Sequence, residues 1–424
     1  MGSPAESRSS EVGITKELFW EAPYTGCRLD AVVFGYASTK GPRLLGMARE
    51  MELDEDETGG RFRRERLIYS DDHGRTWQDG ESFNLAGDGS HVLVSDYLDA
   101  ETDTYFLFAL RRVMDRAKLA GRHVMTYSRQ LYRVSHDGGH SWGPEQPLIQ
   151  TGAEFNEQHA ARGIWYGKNG GYVCTSPIRL SSGTLLLPFQ AWPWDAERQR
   201  LNTTKCSVVW IATSTPDMNR IEWEYGDYIC GDAERYGSLC EMTITELTNG
   251  DVLAIMRASP PGTLSKFYCV SSDGGRSWSE PKALTFDSGE PLLSPSAISR
   301  FIRSSRNGKL YWIGNMYPFR EDHYLTMPPN QQRFSLQIAE VDEETYGIRH
   351  DTVTTIDESE DGDVPREYSN FFVYEDRDSG NFILTMCEAC ALPLKHYEVP
   401  DSYTGTYMTR DNFTSHSYRY EIAL

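Results

Sequence analysis

Three short stretches, RERLIYS (64–70), QLYRVS (130–135) and KFYCVS (266–271), alternate apolar and polar side chains with a period of two. That spacing turns one face of an extended chain inward and the other outward, so each stretch predicts a half-buried β-strand. Each runs into an octapeptide of the form S-x-D-x-G-x-(S/T)-W: SDDHGRTW (70–77), SHDGGHSW (135–142) and SSDGGRSW (271–278). Asp bonds nearby backbone amides and Gly tolerates positive φ, which together build a tight turn. The leading Ser adds a local hydrogen bond, and the Trp leaves the turn to plug between neighbouring sheets. Long amphipathic helical stretches are hard to find.

The octapeptides recur at a fixed period. Trp77 and Trp142 are 65 residues apart, and Trp142 and Trp278 are 136 apart, or two periods of 68. A degenerate copy is therefore expected midway, and STPDMNRIEW (214–223) keeps the Asp, the turn residues and the Trp. Weaker turns fall at EVDEETYG (340–347) and TRDNF (409–413). A unit of this length suits a four-stranded propeller blade, and the 424 residues hold about six such units. The expectation is an all-β, six-bladed β-propeller over residues 20–424, preceded by a disordered tail at 1–19 that opens MGSPAESRSS.

Composition narrows the partners. Aromatic residues make up 12% of the chain, with 24 Tyr and 10 Trp, which suits half-buried strands and sugar-stacking surfaces. The net charge of −20 argues against nucleic acid and against an anionic membrane. It leaves room for an acidic ligand, because a few convergent Arg residues reverse the field locally. Residues 1–20 lack the apolar run of a signal peptide, so the expected location is cytoplasmic, or secreted if a leader has been removed. A monomer is expected. The eight Cys are scattered, and the lone CxxC of Cys387 and Cys390 has no second pair to complete a zinc site. Buried strand cysteines, no metal and no cofactor are the expectation.

The octapeptides are identified as the Asp-boxes of the sialidase superfamily. The resemblance spans roughly residues 20–424 and implies that each box lies on the turn between the third and fourth strands of a blade, remote from the catalytic face. Asp72, Asp137 and Asp273 are then structural. The same boxes occur in lyases, arabinanases and non-enzymatic receptors, so they speak for fold rather than activity.

An enzyme acting on a sugar carboxylate faces a particular problem. A carboxylate nucleophile is repelled by the substrate's own charge, so a neutral Tyr activated by Glu takes its place, as in sialidases. The substrate carboxylate wants planar bidentate donors, meaning Arg rather than Lys. A further carboxyl protonates the leaving oxygen and later activates water.

Several segments resemble this kit. CRLDAVVFGYASTKGPRLLGMARE (27–50) places Arg28 where sialidases have the Arg of an Arg-Ile-Pro motif. Leu29 and Asp30 replace Ile and Pro, and Asp30 stands ready to pair with Arg28. CEMTITELTNGDVLAIMR (240–257) resembles the family's Glu-led hairpin, with Glu241 and Arg257 16 residues apart across an Asn249-Gly250 turn. Glu241 would polarise the Tyr and Arg257 would join the Arg cluster. REYSNFFVYEDRDSGNFILTMCE (366–388) carries a Tyr-Ser step, which makes Tyr368 the candidate nucleophile. Arg333 is the candidate third Arg, with Arg300, Arg303 and Arg320 as rivals. Asp54 and Asp56, in MELDEDETGG (51–60), are the candidates for the acid/base.

Three functions stay open on the sequence: a sialidase-type exo-glycosidase, a lyase on a uronate glycan such as rhamnosyl-glucuronate, and a non-catalytic glycan-binding propeller. A lyase would use His or Tyr to remove the proton beside the uronate carboxylate, with His91 and His159 as the loop histidines able to serve.

Overall fold

A computed structural model of the chain describes residues 12–53, 60–83, 90–112, 128–214, 221–259, 264–317, 333–359, 366–390 and 414–424. Six antiparallel sheets follow one another along it as the blades of a β-propeller. The first blade runs in simple order through Cys27–Tyr36, Leu44–Leu53, Gly60–Ser70 and Gln78–Phe83. The second begins at Ser90–Asp99, the third at Gly171–Val173, the fourth at Ser238–Glu246 and the fifth at Arg300–Arg303. In each case the strand that comes first lies at one end of the strand order.

The sixth blade is assembled from both ends of the chain. Arg366–Tyr368 and Phe372–Glu375 pair with Phe382–Cys390, which pairs with Ser417–Ala423. The last place is filled by Gly13–Trp20, in register from Gly13 opposite Ala423 to Lys16 opposite Tyr420. The boundary expected at residue 20 is thereby corrected: residues 13–19 belong to the propeller. Their pairing covers the edge that Ser417–Ala423 would otherwise leave open.

The core lies between blades. Leu186, Val209 and Ile211 of the third blade pack on Ile244, Ala254 and Met256 of the fourth, and Trp278 packs against the same cluster. Trp142 packs between the first and second blades, and Trp77 meets Phe19 of the closing strand edge-on at 5.3 Å. The three box tryptophans thus occupy equivalent places in their blades. In the degenerate copy, residues 215–220 lie outside the described residues, while Trp223 is buried against Trp210.

The box turns share one hydrogen-bond pattern. Asp137 accepts bonds from the Ser135 hydroxyl (2.8 Å) and from the amide (2.8 Å) and hydroxyl (2.5 Å) of Ser141. Asp273 does the same with Ser271 and Ser277, and Asp72 with Ser70 and Thr76. The Thr76 hydroxyl and amide hold the Asp72 carboxyl down at about 2, since they favour its charged form. These turns lie at the far end of the blades: His73 bonds Tyr36, which closes the strand that Arg28 opens.

One cysteine pair departs from the sequence reading. Cys206 and Cys230 are register partners on neighbouring strands of the third blade, with Cα atoms 4.2 Å apart, and form a disulfide. Cys174, Cys240, Cys269 and Cys387 are buried and free, as expected, and Cys27 is buried as well. The side chain of Cys390 lies outside the described residues.

Candidate functional site

The opening strand of the fourth blade is built to turn one carboxylate aside. Between Cys240 and Thr243 the pairing with Val252–Ser259 slips, and Glu241 takes φ 48, a left-handed conformation uncommon for a residue with a side chain. Its amide donates to the Gln190 side-chain oxygen at 3.0 Å, and Gln190 is fully buried, so the strained residue is held in place. The Glu241 carboxylate then meets Arg257 Nη1 at 3.0 Å. Both side chains stay partly open, at 18% and 16% exposure.

Arg257 is anchored by more than this pair. Its Nε donates to Cys240 Sγ at 3.4 Å and its Nη1 lies 3.4 Å from the Ser296 carbonyl oxygen. Arg333 Nη2 donates to the same carbonyl at 2.8 Å, while Arg333 Nε is buried and has no hydrogen-bond partner among the described residues. Two guanidinium groups, from the fourth and fifth blades, therefore converge on one backbone oxygen. Burial works against the Arg257 charge, and Glu241 beside it more than compensates, leaving the group held above its ordinary value.

A third cation lies behind them. Lys266 stands directly opposite Arg257 in the ladder, a placement that sets like charges side by side. It is fully buried, with its ammonium on the Ala297 carbonyl. Burial first, then the neighbouring Arg257, push the Lys266 amine down to about 7. Sequence reading missed Lys266, although it opens the strand KFYCVS, where the meander returns beside Arg257.

Tyr172, on the opening strand of the third blade, lies near enough for the charges of Glu241 and Arg257 to act on it. Burial and then the Glu241 charge push its phenol well above the ordinary range. Tyr368 goes elsewhere, and the expected pairing of Tyr368 with Glu241 is corrected. In the strand Arg366–Tyr368, Tyr368 sits opposite Glu388 and turns its side chain into the core between the fifth and sixth blades. There it is 2% exposed, and burial followed by the charges of Asp357 and Glu388 raises its phenol above the ordinary value. Glu388 is bound by Lys16 and Arg366, and Asp357 by Lys16 at 2.7 Å, while the Tyr420 hydroxyl donates to Asp357 at 2.6 Å.

The remaining candidates separate. Arg28 pairs with Asp30 at 3.0 Å, beside Cys387 and Glu367 of the sixth blade. Arg300 donates through Nε to the Phe371 carbonyl at 2.7 Å and stacks on the Phe372 ring at 4.0 Å. It lies near buried Asp96, whose carboxyl burial raises to about 6. Arg303 pairs with Glu343 at 2.7 Å. His159 stacks on Trp165 at 3.8 Å, on the connection between the second and third blades. Asp54, Asp56, Arg320 and the side chain of His91 lie outside the described residues.

Fold and box turns together define an Asp-box β-propeller. The BNR repeat-like domain matches residues 100–382, and the chain belongs to that family. Among solved structures it is similar to a protein of unknown function from Dyadobacter fermentans, 14% identical over 97% of this chain and 99% of that one, with a TM-score of 0.60. It is similar also to the NanB sialidase of Streptococcus pneumoniae (14% identity, 96% and 70% coverage, TM-score 0.59). The intramolecular trans-sialidase of Ruminococcus gnavus is a third (12%, 94% and 96%, TM-score 0.58). At these identities the likeness is one of fold, and the fold is sialidase-like. No curated protein matches the sequence.

Proposed function

We propose that this chain is an exo-acting glycoside hydrolase that removes a terminal sugar bearing a carboxylate, of the sialic acid kind. One observation carries the reading: Arg257 and Arg333 converge on the Ser296 carbonyl beside Glu241, with an Arg333 nitrogen left without a partner among the described residues. Planar donors aimed at one point are what a bound carboxylate needs, and buried Lys266 deepens the positive field there. The sialidase-like fold of its structural neighbours supports the same class.

In this reading Tyr172 takes the nucleophile's place. Glu241 accepts the phenol proton as the tyrosine oxygen attacks the anomeric carbon, and the glycosidic bond breaks. The leaving oxygen takes a proton from an acid, for which Asp54 and Asp56 remain the candidates. Water then opens the tyrosyl–sugar bond: its oxygen joins the anomeric carbon, its proton goes to the carboxylate left by that acid, and the proton on Glu241 returns to the departing phenolate. Arg28, paired with Asp30, is assigned a supporting rather than a primary place. The disulfide between Cys206 and Cys230 is of a kind that persists in oxidising compartments, which favours a secreted setting.

Product analysis on sialosides and on uronosides tests the reading. Release of the free acidic sugar, lost in Arg257→Ala and Arg333→Ala, is the expected result. A product absorbing in the ultraviolet would mark an unsaturated uronate, and with it a lyase. Binding of the acidic sugar without any product would leave a glycan-binding propeller.

A further inference from the structure

The third blade carries aromatic side chains beyond those its core needs. Two small ribbons stand off its sheet: His159–Ala161 with Ile164–Trp165, and Trp194–Asp195 with Arg200–Leu201. Between them and the blade opens a cleft of about 460 Å3, whose lining includes Phe155, His159, Trp165, Trp194, Arg162 and Glu154. Phe155, His159, Trp165 and Trp194 are all half-buried, each presenting part of a ring to solvent. His159 lies flat against Trp165 at 3.8 Å, and Phe155 meets the His159 ring at 4.9 Å with its plane tilted, so the three rings form a continuous wall.

This wall connects with the proposed site. Tyr172, which feels the Glu241 charge, lies under the Lys205 ammonium at 5.9 Å, and Lys205 in turn lies 4.4 Å from the Trp192 ring. One proline separates Trp192 from Trp194, and Lys168 stands 5.2 Å over the Trp194 ring. Rings and cations thus alternate from the acidic-sugar site to the cleft. The ribbons are fixed rather than loose: Asn169 Nδ2 donates to the carbonyls of both Gly163 and Trp192, at 2.7 Å each.

We propose that the cleft is a second carbohydrate subsite, which holds the sugar residues that follow the terminal acidic one. Pyranose rings present apolar C–H faces that lie flat on aromatic rings, whose faces carry negative charge, while their hydroxyls bond polar groups at the rim. The cleft offers both, with aromatic walls and the Glu154 and Arg162 side chains at its edge. This assignment rests on the reading of the mouth as an acidic-sugar site only for the order of the sugars, not for the cleft itself.

Titration of tryptophan fluorescence with free N-acetylneuraminate, sialyllactose, lactose and chitotriose tests it. The Arg257→Ala protein, weakened at the mouth, should still bind at least one of the last three saturably. Trp194→Ala and Phe155→Ala should weaken that binding roughly threefold to tenfold each, the size of one aromatic contact, with thermal stability unchanged. In the unaltered protein sialyllactose should bind more tightly than N-acetylneuraminate, and Trp194→Ala should erase the difference. Failure of all three to bind Arg257→Ala, or equal binding by Trp194→Ala, overturns the subsite. Failure of N-acetylneuraminate alone to bind the unaltered protein would overturn the mouth reading and leave the cleft standing.

Discussion

Glu241 and Glu388 lie at the same end of their blades and are each bound to arginine, yet they are surrounded in opposite ways. Glu388 is 4% exposed and saturated, with Lys16, Arg366 and the Tyr420 hydroxyl all upon it. Among the described residues Glu241 pairs with one arginine, Arg257, and sits on a strained bulge, and Arg333, which shares the Ser296 carbonyl with Arg257, has a nitrogen without a partner. Glu388 ties the strands of the sixth blade to one another and, through Lys16 and Asp357, to the fifth. Glu241 leaves donors unsatisfied, and unsatisfied donors held in place by the fold are what a ligand can complete. An ion cluster is therefore better judged by the bonding capacity it leaves over than by the number of charges it gathers.

The sharpest break between the two would come from chemistry. Glu241→Gln and Tyr172→Phe should each lower kcat by about a thousandfold or more, the scale of losing an acid–base partner or nucleophile, with thermal unfolding unchanged. Normal kcat in both variants would move the reaction away from this corner of the mouth. Glu388→Gln should do the reverse, lowering the free energy of unfolding by about 3 kcal/mol through the loss of a buried charge partner, while the folded fraction keeps its kcat. Denaturant titration alongside kinetics separates the two outcomes. Asp273→Ala should cost about 1–2 kcal/mol of stability for its lost turn bonds, with turnover intact. Tyr368→Phe should change turnover less than twofold and stability by no more than about 1 kcal/mol.

Lys266 sharpens the comparison through pH. Its amine titrates at about 7 in the folded chain and near 10.5 when unfolded, so between these values the unfolded chain holds the extra proton. Stability contributed by this group must then rise with pH across that window, by up to about 1.4 kcal/mol per pH unit. Comparing unfolding of the unaltered protein with Lys266→Met from pH 7 to 10 isolates that slope; parallel curves would show an amine that keeps its ordinary affinity for protons.

Much of the fold was legible because Asp-box turns act locally: eight residues specify their own hydrogen bonds, and their spacing counts blades. The Glu241–Arg257 pair was legible for a related reason, since a hairpin folded at Asn249-Gly250 brings its two ends together whatever surrounds it. Tyr368 was not, because a strand's two faces differ by a single residue of register, and only the partner Glu388 decides which way it points. Tyr172 was hidden further, on a three-residue strand of the third blade whose nearness to the Glu241 charge of the fourth is a matter of blade packing. The disulfide joins cysteines 24 residues apart on strands of one sheet, a proximity that spacing alone does not announce. The closing strand GITKELFW was obscured by the polar residues before it.

That closing strand sets the order in which the molecule can be completed. Gly13–Trp20 is synthesised before the first blade, but its partner Ser417–Ala423 emerges only after five blades have been made. Until then the nascent chain carries an unpaired strand at one end and an open sheet edge at the other, both templates for wrong pairing with a neighbouring chain. Once the two meet, the ring has no free beginning. Cutting it at another inter-blade loop and joining the old ends with a short linker should give a chain that folds to the same ring, with a different blade as its clasp.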